Sequence, residues 1–197
     1  MFPFNNIILA SGSPRRKQLL KQIGIDFTTE ISGIDESIEF DLSPERIAKY
    51  FALEKARKIS IKFPKELVVG ADTIVVCNKK ILGKPKNEKE SFDMLSMLSG
   101  KTHKVITGVS LQCIDKSINR TFHETTKVTF KTLDNSCISY YINTYKPFDK
   151  AGSYGIQDWF AVCVKKIDGC FYNVMGLPLA KFWKEISKLR YFSFSYY

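Results

Sequence analysis

The apolar and polar positions of this chain alternate between two periods, which predicts interleaved strands and helices. Residues 7–10 form a short apolar run bounded by turn residues, as in a buried strand, and residues 14–23 carry apolar side chains at helical spacing. The same reasoning predicts further helices at 43–63, 87–98, 134–145 and 177–189, and long strands at 67–77, 104–114 and 121–132. Such an order is typical of an α/β fold with a mixed sheet.

Three details of this pattern concern a strand interruption, a hairpin and the extent of the domain. The strand at 67–77 is predicted to be interrupted at Gly70-Ala71-Asp72. Asp168-Gly169 is a strong hairpin signal, which predicts a strand on either side of it. The pattern has no clear linker, so we expect one domain over residues 1–190, followed by an aromatic, uncharged tail at 191–197.

Composition narrows the class of protein. The 197 residues are 44% hydrophobic and 25% charged, as in a globular domain, and no apolar run is long enough to span a bilayer. The first six residues lack the features of a secretory signal, so a cytoplasmic location is expected. The five cysteines include no Cys-x-x-Cys pair, and the two histidines are far apart in sequence, which predicts reduced thiols and no zinc site.

The net charge of +10 indicates anionic partners. Many of the lysines lie on polar helix faces or in turns, where solvation explains them. The sequence contains no basic stripe interleaved with stacking aromatics and no motif of a known nucleic-acid-binding module. We therefore expect neither stable nucleic-acid binding nor membrane binding, although a basic nucleic-acid-binding module remains an alternative.

The first strand and the first helix are joined by a loop that combines hydroxyls with guanidinium groups. Ser11, Ser13, Arg15 and Arg16 all lie where the strand leads into the helix, with Ser13 at the N-cap and Pro14 at the first helical position. A helix N-terminus attracts anions, and the planar fork of arginine matches phosphate oxygens. The segment predicts a phosphate site, and an ordinary capped helix with two solvated arginines is equally compatible with it.

Other candidate residues are individually weak. Asp72 follows an apolar strand, where a carboxylate could hold a divalent ion or accept a proton from water, or simply bond its own turn. Lys84 lies in a constrained Gly-Lys-Pro turn, and Gln157 ends a loop with two glycines. The amide of Gln157 offers one donor and one acceptor to a base edge, whereas a glycine-rich bulge is the simpler explanation of that loop.

Taken together, seven short motifs resemble the Maf family of nucleoside triphosphate pyrophosphatases, over residues 7–182. In chain order they are Ser-Gly-Ser-Pro-Arg-Arg (11–16), Glu-Lys-Ala (54–56), Gly-Ala-Asp-Thr (70–73), Gly-Lys-Pro (83–85), Leu-Ser-Gly-Lys-Thr-His (98–103), Asp-Lys-Ala-Gly-Ser-Tyr-Gly-Ile-Gln (149–157) and Gly-Leu-Pro-Leu (176–179). Arg15, Thr73 and Gln157 resemble the branch that acts on dTTP and UTP rather than on a methylated guanine nucleotide.

The resemblance implies hydrolysis between the α- and β-phosphates, giving a nucleoside monophosphate and pyrophosphate, with Mg²⁺ or Mn²⁺ as cofactor. It also implies a mixed, twisted sheet with flanking helices in two lobes around a deep cleft, similar to inosine triphosphatases and often dimeric. Asp72 matches the proton acceptor and Glu36 matches a second functional acid of the catalytic site, and both acids are assigned to the metal. Substrate contacts fall on a set that includes hydroxyls and cations: Ser11, Ser13, Arg15, Arg16, Lys55, Thr73, Lys84 and Gln157.

Two departures from the family pattern affect the expected base selectivity. Lys146 stands where relatives usually have Glu, and Asp158-Trp159-Phe160-Ala161 replaces a small, glycine-rich stretch. A non-catalytic nucleotide sensor or cell-division regulator on the same fold is a further alternative. It would bind the triphosphate without releasing pyrophosphate.

Overall fold

A computed structural model describes residues 6–36 and 42–192, with side chains up to residue 189. Six α-helices are assigned within this part of the chain: α1 (Pro14–Gln22), α2 (Pro44–Ser60), α3 (Glu88–Leu98), α4 (Asn135–Tyr145), α5 (Phe171–Met175) and α6 (Leu179–Phe192). The strands assigned there are β1 (Ile7–Leu9), β2 (Thr28–Thr29), β3 (Leu67–Cys77), β4 (Lys80–Leu82), β5 (Thr102–Cys113), β6 (Ile118–Phe130) and β7 (Val164–Asp168).

All seven strands belong to one sheet, in the order β2-β1-β3-β5-β6-β7, with β4 paired to β3. β1 runs parallel to both β2 and β3, with Leu9 opposite Val69, whereas β4 is antiparallel to β3 and β7 is antiparallel to β6. The expected mixed sheet with flanking helices is therefore confirmed. β5 is buried without alternation from residue 105 to 113, as a strand covered on both faces should be.

The chain is organised as two compact units. Within the described residues, unit 1 comprises 6–36, 42–72, 107–124 and 176–192, and unit 2 comprises 73–106 and 125–175. β3, β5 and β6 each contribute residues to both units. The single domain expected over 1–190 stays a prediction, and the described residues form two units, each built from segments distant in sequence.

In unit 1, helix α2 lies unusually close to the sheet, and glycines make that approach feasible. A Cβ atom on Gly70 would lie 2.2 Å from the carbonyl oxygen of Ala52, and one on Gly108 would lie 2.2 Å from that of Ala48. The predicted interruption at Gly70 is consequently wrong, because β3 continues unbroken from Leu67 to Cys77. The glycine is needed for the close packing of helix on strand, and it marks no turn.

Unit 2 is organised around aromatic side chains. Phe130, Tyr141 and Phe160 are at most 1% exposed, and the ring centroids of Phe130 and Tyr141 lie 4.9 and 4.7 Å from that of Phe160. Tyr154 packs edge-on against Phe130, at 4.8 Å. The loop that follows α4 is thereby packed onto the core of its own unit.

The chain after Gly169 differs from the prediction. β7 ends at Asp168 as expected, but the next segment is the short helix α5 and not a second strand. The buried amide of Asn173 explains the difference, because its nitrogen donates to the carbonyl oxygen of Val105 and to Oγ1 of Thr126. These two bonds hold the segment in place as a helix.

At the end of the chain, α6 continues to Phe192, three residues beyond the predicted end, and the rest of the aromatic tail lies outside the described residues. All five cysteines are free, as the sequence predicted. None of the helices in the described part of the chain combines the length and apolar character needed to cross a bilayer.

Candidate active site

The centre of the candidate site in unit 1 is a buried ion pair between helix α2 and strand β3. Lys55 is 8% exposed and Asp72 is 7% exposed, and Nζ of the lysine lies 2.6 Å from Oδ1 of the aspartate. Burial of either charge alone would be strongly unfavourable, so each residue depends on the other. Asp72 therefore does not act as a turn residue that bonds its own backbone.

Glu36 joins this pair from the loop that follows β2. Its Oε1 lies 2.9 Å from Nζ of Lys55, and its side chain is 45% exposed. One ammonium group thus binds two carboxylates, of which Asp72 is buried and Glu36 is accessible. The two acids that the sequence singled out, 36 residues apart, are brought together on a single lysine.

Arg16, in the first turn of α1, belongs to the same cluster. Its Nε donates to the carbonyl oxygen of Gly176 at 2.9 Å, and its Nη1 donates to Oγ of Ser11 at 3.0 Å. Burial lowers the pKa of the guanidinium group, and the negative charges of Asp72 and Glu36 act in the opposite direction. Arg16 is therefore anchored to the protein by two contacts while it lies within electrostatic reach of both carboxylates.

The loop before α1 is arranged differently from the prediction in one respect. Ser13 occupies the N-cap position, but its side chain makes no capping bond. Instead its backbone N–H donates to Oγ of Ser11, at 3.3 Å, and that hydroxyl also accepts the bond from Arg16. Ser11 is thus a buried organiser of the loop. Arg15 is half-buried and contributes positive charge next to Arg16.

The remaining predicted residues belong to unit 2. Thr73 is half-buried on β3, Lys84 is exposed between β4 and α3, and Gln157 is exposed in the loop before the short 3₁₀ segment Trp159–Cys163. The boundary between the units falls between Asp72 and Thr73. The structure therefore groups the two acids with three cations and both serines in unit 1, and groups Thr73, Lys84 and Gln157 in unit 2.

The loop of Gln157 contains a contact that sequence reasoning did not identify. The hydroxyl of Tyr141 accepts the backbone N–H of Gly155 at 3.0 Å and donates to Oδ2 of Asp158 at 3.1 Å. Tyr141 lies on the buried face of α4, where its spacing alone marks it as a core residue. The one available signal was the acidic residue at position 158, which departs from the family pattern.

The other departure, Lys146, lies at the end of α4 in a left-handed conformation, with φ of 44°. Its Nζ lies 3.0 Å from Oε1 of Glu88 at the start of α3, and both side chains are more than half exposed. A surface ion pair of this kind contributes little to stability. Within unit 2, Lys146 forms a polar contact between α3 and α4.

Comparison with known proteins agrees with the motifs. Residues 6–189 of this chain match the family of Maf-like proteins. A relative from Bacillus pumilus named dTTP/UTP pyrophosphatase is 50% identical over 177 residues, which cover 90% of this chain and 93% of the relative. Relatives of the same name from Cytophaga hutchinsonii and Phocaeicola vulgatus are 46% and 47% identical, each over 93% of this chain, covering 84% and 95% of the relatives.

Among solved structures, the Ham1 protein of Staphylococcus aureus matches with a TM-score of 0.46 and 14% identity, over 64% of this chain and 72% of that chain. Protein VC0702 of Vibrio cholerae matches with a TM-score of 0.33 and 11% identity, over 72% of this chain and 71% of that chain. The family match spans nearly the whole chain, and the sequence relatives share close to half of their residues with it. The chain therefore belongs to the family of Maf-like proteins.

Proposed function

We propose that this protein hydrolyses dTTP and UTP between the α- and β-phosphates, and so releases a nucleoside monophosphate and pyrophosphate. The observation that carries the proposal is the buried Lys55–Asp72 pair with Glu36 on the same ammonium group. The names of relatives at 46–50% identity support the choice of substrate.

Electrostatics favour a polyphosphate as the ligand of unit 1. Arg15, Arg16 and Lys55 place three cations around two carboxylates, so positive charge is in excess. Hydrolysis of a phosphoanhydride depends mainly on positioning and on neutralisation of charge at the phosphoryl oxygens. The three cations supply that neutralisation, with Ser11 and Ser13 in the same loop, and the family motif adds Lys84 as a further proposed phosphate contact.

Asp72 is the residue that we assign as the proton acceptor. Lys55 donates to its Oδ1 at 2.6 Å and so restrains the orientation of the carboxylate. A carboxylate fixed in this way can orient water and accept its proton as the water attacks the α-phosphorus. Glu36, which is more exposed, is the second acid of the site.

A divalent cation fits this donor set only in company with the substrate. The described residues contain no group of three or more histidine, cysteine or acidic side chains that could hold an ion by themselves. Mg²⁺ and Mn²⁺ are, however, commonly bound by one or two carboxylates together with phosphate oxygens. Asp72 and Glu36 would hold the ion, which would add positive charge to the phosphates when bound.

Base recognition is assigned to Gln157, with Thr73 and Arg15 as further determinants of selectivity. Gln157 is exposed, whereas the four residues before it are buried, so a fixed backbone presents a single amide to solvent. The donor and acceptor of that amide match the oxygen and the N–H on the edge of uracil or thymine. Modified pyrimidines with the same edge are then candidate substrates, and their removal before incorporation into nucleic acid is the role we propose.

The experiment is a pyrophosphate-release assay over dTTP, UTP, CTP, ATP and GTP, with Mg²⁺, with Mn²⁺ and without either. Asp72→Asn should lower kcat by about 100-fold or more, the contribution expected of a positioned acid–base group. Asp26→Asn, at an exposed position of the same unit, is the matched control and should behave as the wild type. Near-normal turnover in folded Asp72→Asn would remove Asp72 from the mechanism, and binding of triphosphate without pyrophosphate release would favour a sensor.

Two further properties stay predictions. A homodimer is expected from the family resemblance and can be measured by light scattering of the purified protein. A cytoplasmic location is expected from the sequence and can be measured by cell fractionation. Steep, salt-dependent binding to single-stranded nucleic acid without triphosphate hydrolysis would instead favour the nucleic-acid-binding alternative.

A further inference from the structure

The segment that presents Gln157 is held on both sides by polar contacts within unit 2, and those before Gln157 are buried. Before Gln157, Oγ of Ser153 lies 2.5 Å from Oγ of Ser91, and the hydroxyl of Tyr154 lies 2.8 Å from Nε2 of His103. Ser153 is fully buried and Tyr154 is 6% exposed. The backbone just before Gln157 is therefore fixed in the core of unit 2.

One hydroxyl group connects the two sides of the loop around Gln157. Tyr141 accepts the N–H of Gly155, two residues before Gln157, and donates to the carboxylate of Asp158, one residue after it. The other carboxylate oxygen of Asp158 accepts the backbone N–H of Phe160 at 3.0 Å. Both oxygens of Asp158 are thus engaged, and the backbone on each side of Gln157 is tied to the same phenol.

Glycine at position 155 is required for this arrangement. A Cβ atom there would lie 2.4 Å from Oδ2 of Asp158, the atom that receives the bond from Tyr141. The ring of Tyr141 is itself immobilised, since it is 0% exposed, stacks on Tyr145 at 5.3 Å and contacts Phe160 at 4.7 Å. Burial and the nearby charge of Asp158 raise the pKa of Tyr141, so its hydroxyl keeps the proton that it donates.

The need for such a connection follows from the chemistry of the amide. Rotation of the terminal amide about its bond to the side chain exchanges the donor and the acceptor, and the rotated amide matches cytosine as well as uracil. A held backbone does not block that rotation, but discrimination also requires that the amide meet the base at a fixed distance and angle, which the position of the backbone sets. Because Tyr141 makes the bonds to both Gly155 and Asp158, the position of this backbone depends on Tyr141.

We propose that Tyr141 is a positioning residue for base selectivity, which acts by tying Gly155 and Asp158 together across Gln157. This inference rests on the proposed function, in which Gln157 contacts the base. Tyr141 itself touches neither the phosphates nor the base in this account. Its removal should therefore affect the recognition of the base and leave the recognition of pyrophosphate unchanged.

The test compares Tyr141→Phe with Tyr145→Phe, which removes a hydroxyl from the stacked ring one turn away on the same helix. The ratio of kcat/KM for UTP to that for CTP should fall about tenfold in Tyr141→Phe, the scale of one lost polar determinant, and should stay at the wild-type value in Tyr145→Phe. Inhibition by UMP should weaken in Tyr141→Phe, whereas inhibition by pyrophosphate should stay within about twofold of wild type.

A purely structural role would produce a different result, namely equal losses for UTP and CTP or a parallel weakening of UMP and pyrophosphate inhibition, and either would overturn the inference. Gln157→Ala, measured alongside, separates the two proposals. If Gln157→Ala keeps the wild-type selectivity, the base-reading assignment itself fails. If Gln157→Ala loses selectivity and folded Tyr141→Phe keeps it, only the inference about Tyr141 fails.

A second variant covers the case in which Tyr141→Phe does not fold. Gly155→Ala places a Cβ atom 2.4 Å from Oδ2 of Asp158, so the carboxylate must move away from Tyr141. The UTP-to-CTP ratio should fall in this variant too. An unchanged ratio in folded Gly155→Ala would contradict the proposal.

Discussion

His103 provides a quantitative prediction about stability and pH. The residue is 2% exposed, its Nε2 bonds the hydroxyl of Tyr154 at 2.8 Å, and its Nδ1 has no hydrogen-bond partner among the described residues. Burial lowers the pKa of His103 from 6.5 to about 4. The folded protein therefore holds this histidine neutral at pH 5, where the unfolded chain holds it protonated.

The sign of the effect follows from proton linkage. Between pH 6.5 and about 4 the unfolded state binds the proton and the folded state does not, so the free energy of unfolding falls as the pH falls. The full difference corresponds to about 3 kcal/mol, and about 2 kcal/mol of it should be lost between pH 7 and pH 5. Below about pH 4 both states are protonated and the loss is complete.

The assay is urea unfolding of the wild type and of His103→Gln at pH 7 and pH 5. Glutamine does not titrate, so the variant, although less stable at both values, should lose about 2 kcal/mol less than the wild type over that interval. His123→Gln is the control, because His123 is only partly buried and should leave most of the slope in place. An equal loss in wild type and His103→Gln would refute the neutral, buried histidine.

Two further predictions concern the packing and charge of unit 1. Gly70→Ala should lower the free energy of unfolding by about 3 kcal/mol or more, because its Cβ would meet the carbonyl oxygen of Ala52. The control Gly83→Ala has no atom within 4 Å of its Cβ and should be near neutral. Thermal unfolding of both variants checks this difference. Lys55→Met should lower the free energy of unfolding by about 3–5 kcal/mol, because it leaves the carboxylate of Asp72 buried and unpaired. Adding Asp72→Asn should recover part of that loss. Additive losses for the two substitutions in urea unfolding would contradict the pairing.

The periodicity of the sequence predicted the long elements well, because their signals are local. Asn87 and Asp134 each accept a backbone N–H at the start of a helix, as their capping chemistry requires. The strand β2 was missed, since two exposed threonines carry no apolar pattern. Gly70 was misread for a different reason, because its role depends on a helix that passes over it and not on its neighbours in sequence.

In the candidate site too, residue types could be predicted from local sequence, whereas contacts between distant residues could not. Lys55 and Asp72 could each be singled out by type and by family motif, yet their pairing across 17 residues is a property of α2 packing on β3. The bond from Arg16 to the carbonyl oxygen of Gly176 spans 160 residues and has no local signal at all. Tyr141 could not be distinguished in sequence from an ordinary core aromatic, because its function lies in the hydroxyl and in what the fold places next to it.

The most direct test of the central claim is hydrolysis of UTP by the purified protein in H₂¹⁸O, with both products analysed by mass spectrometry. Attack of water on the α-phosphorus, oriented by Asp72, predicts equal amounts of UMP and pyrophosphate, with the heavy oxygen in UMP. Heavy oxygen in pyrophosphate, or release of UDP and orthophosphate, would contradict the account.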